Sequence, residues 1–401
     1  MTPSSDPSSA STEPAQRSQR SGPLSGLRVL EFQGIGPGPF CGLMLADMGA
    51  DVLLIDRPGE PAVDRTQDVL LRGRRSVVLD LKSESDRQLA VALIERADVL
   101  IEGFRAGVME RLGLGPDVAL KLNPRLVYGR MTGWGQTGPL APRAGHDINY
   151  IALTGVLDAI GRAGHPPTPP MNLVGDFGGG GMLLAFGVVC AIFEATRSGK
   201  GQVVDAAMVD GAALLATMFF GMKANNAWGP ERGTNMLDGG APWYDVYRTL
   251  DNKFVAIGSI EKQFWLELLR RLEISPESLP EQHDRSGWPS IRAVLTRTFA
   301  SRTRDDWIKV FQGSDACFAP VLSFAEAPFH EHNLKRAGYF MTQGTYFPAP
   351  APRFSRTPGT PGCPTPPPGE GGLDMLRAWG VEESVLRNFE SLRDENPSLS
   401  N

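Results

Sequence analysis

The 401-residue sequence predicts an α/β protein: a parallel sheet with helices on both faces, and a smaller α/β domain inserted in it. Three observations predict that class. Strand-like and helix-like runs alternate from residue 27 to residue 130, the pattern of a parallel sheet. A glycine-rich turn joins the first strand to the first helix. The length, at about 150 residues per domain, calls for two or three domains, and the chain changes character near residues 225–240.

Residues 27–32 are β-prone and run into Gly34-Ile35-Gly36-Pro37-Gly38-Pro39. A helix is predicted over 40–48, with Gly49 as its C-cap. Residues 51–56 and 76–81 are short strands. Ser83 caps a helix over 84–97, with Asp86 completing a weaker capping box. Residues 98–102 and 126–130 are the next strands. Gly178 to Gly181 are four consecutive glycines, which call for a special backbone conformation or for the close approach of a neighbour. The apolar run 182–193 is a core helix ending near Ser198-Gly199-Lys200-Gly201. Residues 202–208 fit strand or helix, and a further helix reaches about Ala224.

The polar, glycine-rich stretch 225–240 opens the smaller domain, placed at 230–330. It holds a strand over 253–258, helices over 262–271, 289–300 and 305–312, and a strand over 317–322. Thr303 is the N-cap of the third helix. Residues 347–372 are proline-rich and extended, and a terminal helix over 373–389 docks back. The plan is a disordered tail over 1–22, a large domain over 23–229, the small domain, and a return segment over 331–401.

Forty Lys and Arg against 45 Asp and Glu leave a net charge of -5, which argues against a nucleic-acid coat. Cys41, Cys190, Cys317 and Cys363 form no Cys-x-x-Cys pair, so no disulfide framework and no metal site is expected. A twelve-residue apolar run at 182–193 is too short to span a bilayer as a helix. The first 22 residues carry seven serines and no Leu, Ile, Val or Phe, so they lack the apolar stretch of a signal peptide. The last residues, Leu399-Ser400-Asn401, are not a peroxisomal Ser-Lys-Leu signal. The expectation is a cytoplasmic enzyme with no nucleic-acid or membrane partner.

Four clusters carry candidate chemistry. The first glycine turn imitates a dinucleotide fingerprint, with Asp56 twenty residues after Gly36. Pro39 stands where the third glycine belongs, so a tight strand-to-helix turn is the stronger reading. Arg72, Arg74 and Arg75, with Lys82 and Arg105 further on, suit a ligand with several phosphates. Arginine outnumbers lysine 32 to 8, so a solvated face is an equal alternative. His146 follows a glycine-rich loop where a helix begins, and the positive end of that helix keeps the imidazole a usable base; the alternative is a structural histidine. Asp176 precedes the four glycines and either reaches a ligand or caps the following helix.

The ordered motifs resemble those of the α-methylacyl-CoA racemases in the class III CoA-transferase superfamily. They include Gly36-Pro37-Gly38-Pro39-Phe40, Asp56-Arg57-Pro58, Asp80-Leu81-Lys82-Ser83, Gly133-Trp134-Gly135-Gln136-Thr137-Gly138-Pro139, Gly145-His146-Asp147-Ile148-Asn149-Tyr150 and Gly175-Asp176-Phe177. The resemblance covers about residues 23–356. It implies a Rossmann-like large domain, an interlocked homodimer and an acyl-CoA substrate in fatty acid and lipid metabolism. It makes His146 and Asp176 the catalytic bases, with Glu261 orienting the histidine and Asn172 holding the aspartate. It sets Arg57, Arg72, Arg75, Lys82 and Arg105 against CoA, together with Asp147 and Tyr150.

The implied reaction is racemisation of a 2-methylacyl-CoA. One base removes the α-proton and another returns a proton on the opposite face, through an enolate. No cofactor is implied beyond the CoA of the substrate. The first alternative is a CoA-transferase of the same superfamily, with Asp176 as nucleophile. A silent CoA-binding scaffold and an NAD dehydrogenase are the others. Met208, Met218, Met222 and Met236 are candidates for an adaptable acyl surface or ordinary core packing.

Overall fold

The computed structural model describes residues 21–59, 65, 68–364 and 367–394. The tail expected over 1–22 falls almost entirely outside them. Six parallel strands form the main sheet: β1 (Arg28–Phe32), β2 (Asp51–Asp56), β3 (Arg74–Val78), β4 (Val99–Glu102), β5 (Val127–Thr132) and β6 (Val203–Ala207). Their order is β3-β2-β1-β4-β5-β6, that of a Rossmann sheet. Such a sheet has a crevice where the strand order reverses, beyond the carboxyl ends of β1 and β4.

Side chains alternate across a strand, and the sequence uses that alternation to build two cores. Val29, Val52, Val99 and Val127 face one side with α1 (Pro37–Asp47) and α4 (Leu183–Ser198). Leu30, Leu53, Leu100 and Tyr128 face the other with α2 (Glu84–Ile94). That second core is completed by the end of the chain. Met375, Leu376 and Trp379, with Leu386 and Phe389, pack into it, and the Trp379 indole N–H donates to Asp51 Oδ2 at 3.0 Å.

Several expected elements move. Helix α1 starts at Pro37, because proline fits a first helical turn that needs no donor. The strand expected over 76–81 is β3, two residues earlier, so Arg74 and Arg75 lie within the sheet. Ser83 precedes α2 without capping it by its side chain. Asp86 accepts the Asp80 backbone N–H instead (2.8 Å), so the capping box does not form. Residues 203–207 settle as strand β6, followed by α5 (Met208–Leu215) and α6 (Thr217–Ala224).

The glycine run belongs to a π-helical segment, Leu173–Met182, continuous with α4. The glycines are required by close neighbours. A Cβ on Gly179 would lie 2.6 Å from the Ala212 nitrogen, and one on Gly181 would lie 2.7 Å from the Pro37 carbonyl. Asp176 is therefore inside a helix and not its N-cap. The combined segment 173–198 is longer than the twelve-residue run suggested, and by length and composition alone it is enough to cross a membrane.

A second sheet, antiparallel, joins β7 (Tyr244–Arg248), β8 (Phe254–Gly258) and β9 (Phe318–Pro320). Helices α7 (Lys262–Arg271), α8 (Trp288–Phe299) and α9 (Arg304–Phe311) cover it. Its own core holds Trp243, Trp265, Trp288, Phe299 and Trp307. Thr303 caps α9 as expected, accepting the Asp306 N–H. A hairpin of β10 (Tyr339–Thr342) and β11 (Thr345–Pro348) was not expected. Residues 349–364 are without helix or strand. The terminal helix is split into α10 (Gly372–Ala378) and α11 (Glu383–Asp394).

Candidate active site

The turns after β1 and β5 meet the π-helical segment, and the turn after β4 lies near Tyr150 of the β5 loop. The turn after β1 brings Gly36 against Asp176: a Cβ there would lie 3.3 Å from Asp176 Oδ2, and φ is +70°. Both facts favour glycine. The turn after β4 carries Phe104 and Arg105, held by Glu102, whose carboxylate accepts the Phe104 N–H at 2.8 Å. Glu102 is buried and in turn pairs with Arg130 at 2.9 Å. The loop after β5 leads to His146 and α3 (Asp147–Ala152).

His146 is exposed at the start of α3, and Asn149 Oδ1 accepts its backbone N–H at 3.0 Å. Tyr150 fixes the residue before it by donating its hydroxyl to the Gly145 carbonyl. The Tyr150 ring packs edge-on to Trp134, with centroids 4.7 Å apart. Tyr150 is buried, so its visible work is to hold this turn. Burial and the Asp176 charge push its hydroxyl above the ordinary phenol range, and Arg105 opposes them.

Asp176 is half-buried. Asn172 Nδ2 donates to its Oδ2 at 3.0 Å, and its backbone N–H donates to Asp147 Oδ1 at 2.7 Å. Burial pushes the Asp176 carboxyl above the usual carboxylate range. The Asn172 bond opposes that shift, the Asp147 charge adds to it, and the His146 charge lowers it. The imidazole and the carboxyl are thus close enough to feel one another. An imidazole and a carboxyl at one site are candidate acid–base partners.

The remaining site candidates separate. Arg57 is exposed and lies over the Phe104 ring, 5.5 Å from its centroid. Arg105 is exposed on the same turn as Phe104 and near Tyr150. Arg57 and Arg105 therefore rim the crevice. Lys82 is exposed on the turn after β3.

Arg72, Arg74 and Arg75 do not form one basic patch. Arg72 is buried in a two-point pair with Asp47, with Nε to Oδ1 at 3.0 Å, and stacks over Phe340. Arg74 is buried against Glu31 at 3.0 Å. Arg75 pairs with Asp51 at 2.5 Å. The physical reason is where β3 begins: Arg74 and Arg75, neighbours in the strand, point to opposite faces and meet Glu31 and Asp51, whereas Arg72, on the turn before the strand, meets Asp47 at the end of α1. Arg72 is thereby corrected from a phosphate contact to a buried structural pair.

Glu261 is exposed at the start of α7, where its charge adds to burial in raising the Cys317 thiol. Among the described residues no hydrogen bond or ion pair joins it to His146. The four methionines also disperse. Met208 packs against Gly180, Met218 is exposed, Met222 is half-buried on α6, and Met236 joins the core of the second sheet. Sequence reasoning missed the contacts that organise the site: Gly36 on Asp176, Tyr150 on Gly145, and the Asp147 side chain on the Asp176 backbone.

An imidazole and a carboxyl at the switch point of a Rossmann-ordered sheet are the parts of an α/β enzyme that moves protons or acyl groups. The chain belongs to CoA-transferase family III, whose model matches residues 24–371. It is 46% identical over 373 residues to alpha-methylacyl-CoA racemase of Mus musculus, covering 92% of this chain and 97% of that protein. The Homo sapiens protein of the same name is 44% identical over 379 residues, covering 93% and 98%. Among solved structures, Rv3272 from M. tuberculosis aligns with a TM-score of 0.71 at 26% identity, over 88% of this chain and 99% of that one.

Proposed function

We propose that this protein interconverts 2R and 2S 2-methylacyl-CoA thioesters. The observation that carries the reading is that His146, at the head of α3, lies within electrostatic reach of Asp176 on the π-helical segment. Inversion at one carbon needs a base on each face, and the thioester carbonyl takes the charge as an enolate. The Asp147 backbone N–H, at the first position of α3, suits that oxygen; one such donor is worth about 2.7–4 kcal/mol in other enzymes. The 44–46% identity to proteins named racemases supports the same reading. The only group needed besides the protein is the CoA of the substrate.

In this reading residues 23–229 bind CoA and residues 230–330 form the small domain. Arg57 and Arg105 meet the CoA phosphates. Arg57→Ala combined with Arg105→Ala is expected to raise KM for acyl-CoA by about tenfold per arginine, with kcat little changed. An unchanged KM in steady-state assays removes both from the CoA site.

The protein is read as a homodimer. Phe186 and Phe193 are 68% and 65% exposed on α4, and Leu214, Leu215, Met218 and Phe220 are exposed on α5 and α6. A second copy is the occupant that the family resemblance implies for this apolar face. Sedimentation at falling concentration should show a dimer throughout; a folded monomer counts against the proposal.

The test of the function is to incubate one pure enantiomer of a 2-methylacyl-CoA in deuterated water. Racemisation yields the other enantiomer with deuterium at the α-carbon. A CoA-transferase instead moves CoA to an added carboxylic acid and leaves the α-centre unlabelled and unchanged.

A further inference from the structure

The side chain of Asp147 stands between the two bases, and neither the expected CoA contact nor the backbone donor accounts for it. It follows His146 directly at the head of α3. It is only 6% exposed, although it is a carboxylate, and such groups are seldom buried without a reason. Its Oδ1 accepts the Asp176 backbone N–H at 2.7 Å. Its Oδ2 is buried and has no hydrogen-bond partner among the described residues. The chain makes room for it: a Cβ on Gly175 would collide with this carboxylate.

We propose that Asp147 is a positioning residue that couples the two bases, fixing the Asp176 backbone from the helix turn that carries His146 and holding a negative charge beside the Asp176 carboxyl. The inference rests on the racemase reading above. Its geometric part is specific. One residue ties the α3 start to the π-helical segment, so the two bases share a single mounting. Its electrostatic part follows from the same contact: the Asp147 carboxylate that accepts the Asp176 N–H stands beside the Asp176 carboxyl and adds to burial in raising it, because like charge favours the protonated form of a neighbouring acid. Among the described residues, the charged or titratable groups that interact with Asp176 are His146, Asp147 and Tyr150, at the head of α3. The residues packed on the adjacent glycine run from α1 and α5 are Pro37, Phe40, Met208, Gly211, Ala212 and Leu215, and none of these titrates; Asp210, the acid on α5, is exposed.

Two substitutions separate the two parts. Asp147→Asn keeps an acceptor oxygen for the Asp176 N–H and removes the charge. Asp147→Ala removes both. Asp147→Ala is expected to lose about 10²-fold in kcat for inversion, the cost of a misplaced group. Asp147→Asn is expected to keep more turnover than Asp147→Ala. Its acid limb should move to lower pH in the direction where Asp176 removes the proton, because the carboxyl ionises more readily without a negative neighbour. A structural role alone would leave that limb in place.

The titration is also read without turnover, by 13C NMR of carboxyl-labelled aspartate, with Asp176→Asn identifying the signal. A lower midpoint for Asp176 in Asp147→Asn supports the proposal. An unmoved midpoint, or Asp147→Ala turning over like the parent, overturns it. If the parent itself fails to invert the substrate, the racemase reading falls, and the NMR midpoint still decides whether Asp147 acts on Asp176.

Discussion

His146→Ala is expected to stop inversion in both directions while one enantiomer still exchanges its α-proton with deuterated water. The reason is the division of labour between the bases. By the family resemblance, His146 faces the α-proton of the 2S substrate and Asp176 that of the 2R substrate. A full turnover uses both, because a proton taken on one face is replaced on the other. Exchange uses one, since the surviving base removes a proton and returns deuterium on its own face. His146→Ala therefore retains exchange from 2R substrate, and Asp176→Asn retains it from 2S. The loss of inversion should be a factor of about 10²–10⁴ for each base removed. Asp176→Asn also preserves the shape that Asn172 and Gly36 pack against, so its loss reports chemistry. A transferase using Asp176 as nucleophile behaves differently: Asp176→Asn abolishes acyl transfer and His146→Ala leaves it nearly intact. Inversion by His146→Ala at the parent rate would mean that the second base lies elsewhere.

The elements that position these groups differ in how far the sequence discloses them. The strands β1, β2, β4 and β5 are legible because short apolar runs between turn residues have few other uses. The helix α7 is legible from end to end, since its apolar positions recur with helical period. Asp176 and His146 stand out because ionisable residues beside glycine turns are uncommon and the family motifs bracket them. The π-helical segment is not legible: local pattern has no signature for an i to i+5 ladder, and the four glycines announce crowding without saying who crowds. The arginines show the sharper failure. Arg72, Arg74 and Arg75 are adjacent in sequence, and charge clustering along the chain reads as clustering in space. Strand β3 begins at Arg74 and sends Arg74 and Arg75 to Glu31 and Asp51, while Arg72, on the turn before it, meets Asp47. These carboxylates are 24 to 43 residues away in the chain, beyond any local rule. Glu261 belongs to the same class, because no local rule says whether a residue at the head of α7 reaches His146.

The buried Arg74 should be the most costly of these arginines to remove, and for a reason that also reaches the site. Its guanidinium meets Glu31 at 3.0 Å with both side chains fully out of solvent. It also donates to the Leu70 carbonyl at 2.6 Å and to the Pro39 carbonyl at 2.5 Å. Arg74→Ala leaves a buried carboxylate without its partner, a loss of about 3–5 kcal/mol, to be read as a large fall in the denaturation midpoint. The pH dependence has a definite sign. Burial already pushes the Glu31 carboxyl above the usual range, with Arg74 opposing it; without Arg74 the folded-state value rises further, while the unfolded value stays near about 4.3. A carboxyl raised by folding contributes its stability in full below the unfolded value and loses it as pH rises through the folded one. The deficit of Arg74→Ala relative to the parent should therefore be smallest near pH 4 and grow toward pH 8; an equal deficit across that range would argue against an unpaired carboxylate as its cause. Replacing both partners, Glu31→Leu with Arg74→Met, should recover much of the stability, because an apolar pair of similar volume removes the stranded charge. It should not recover turnover. Arg74 is what holds the Pro39 carbonyl, at the end of the turn that sets Gly36 against Asp176, and a methionine has no donor to replace it.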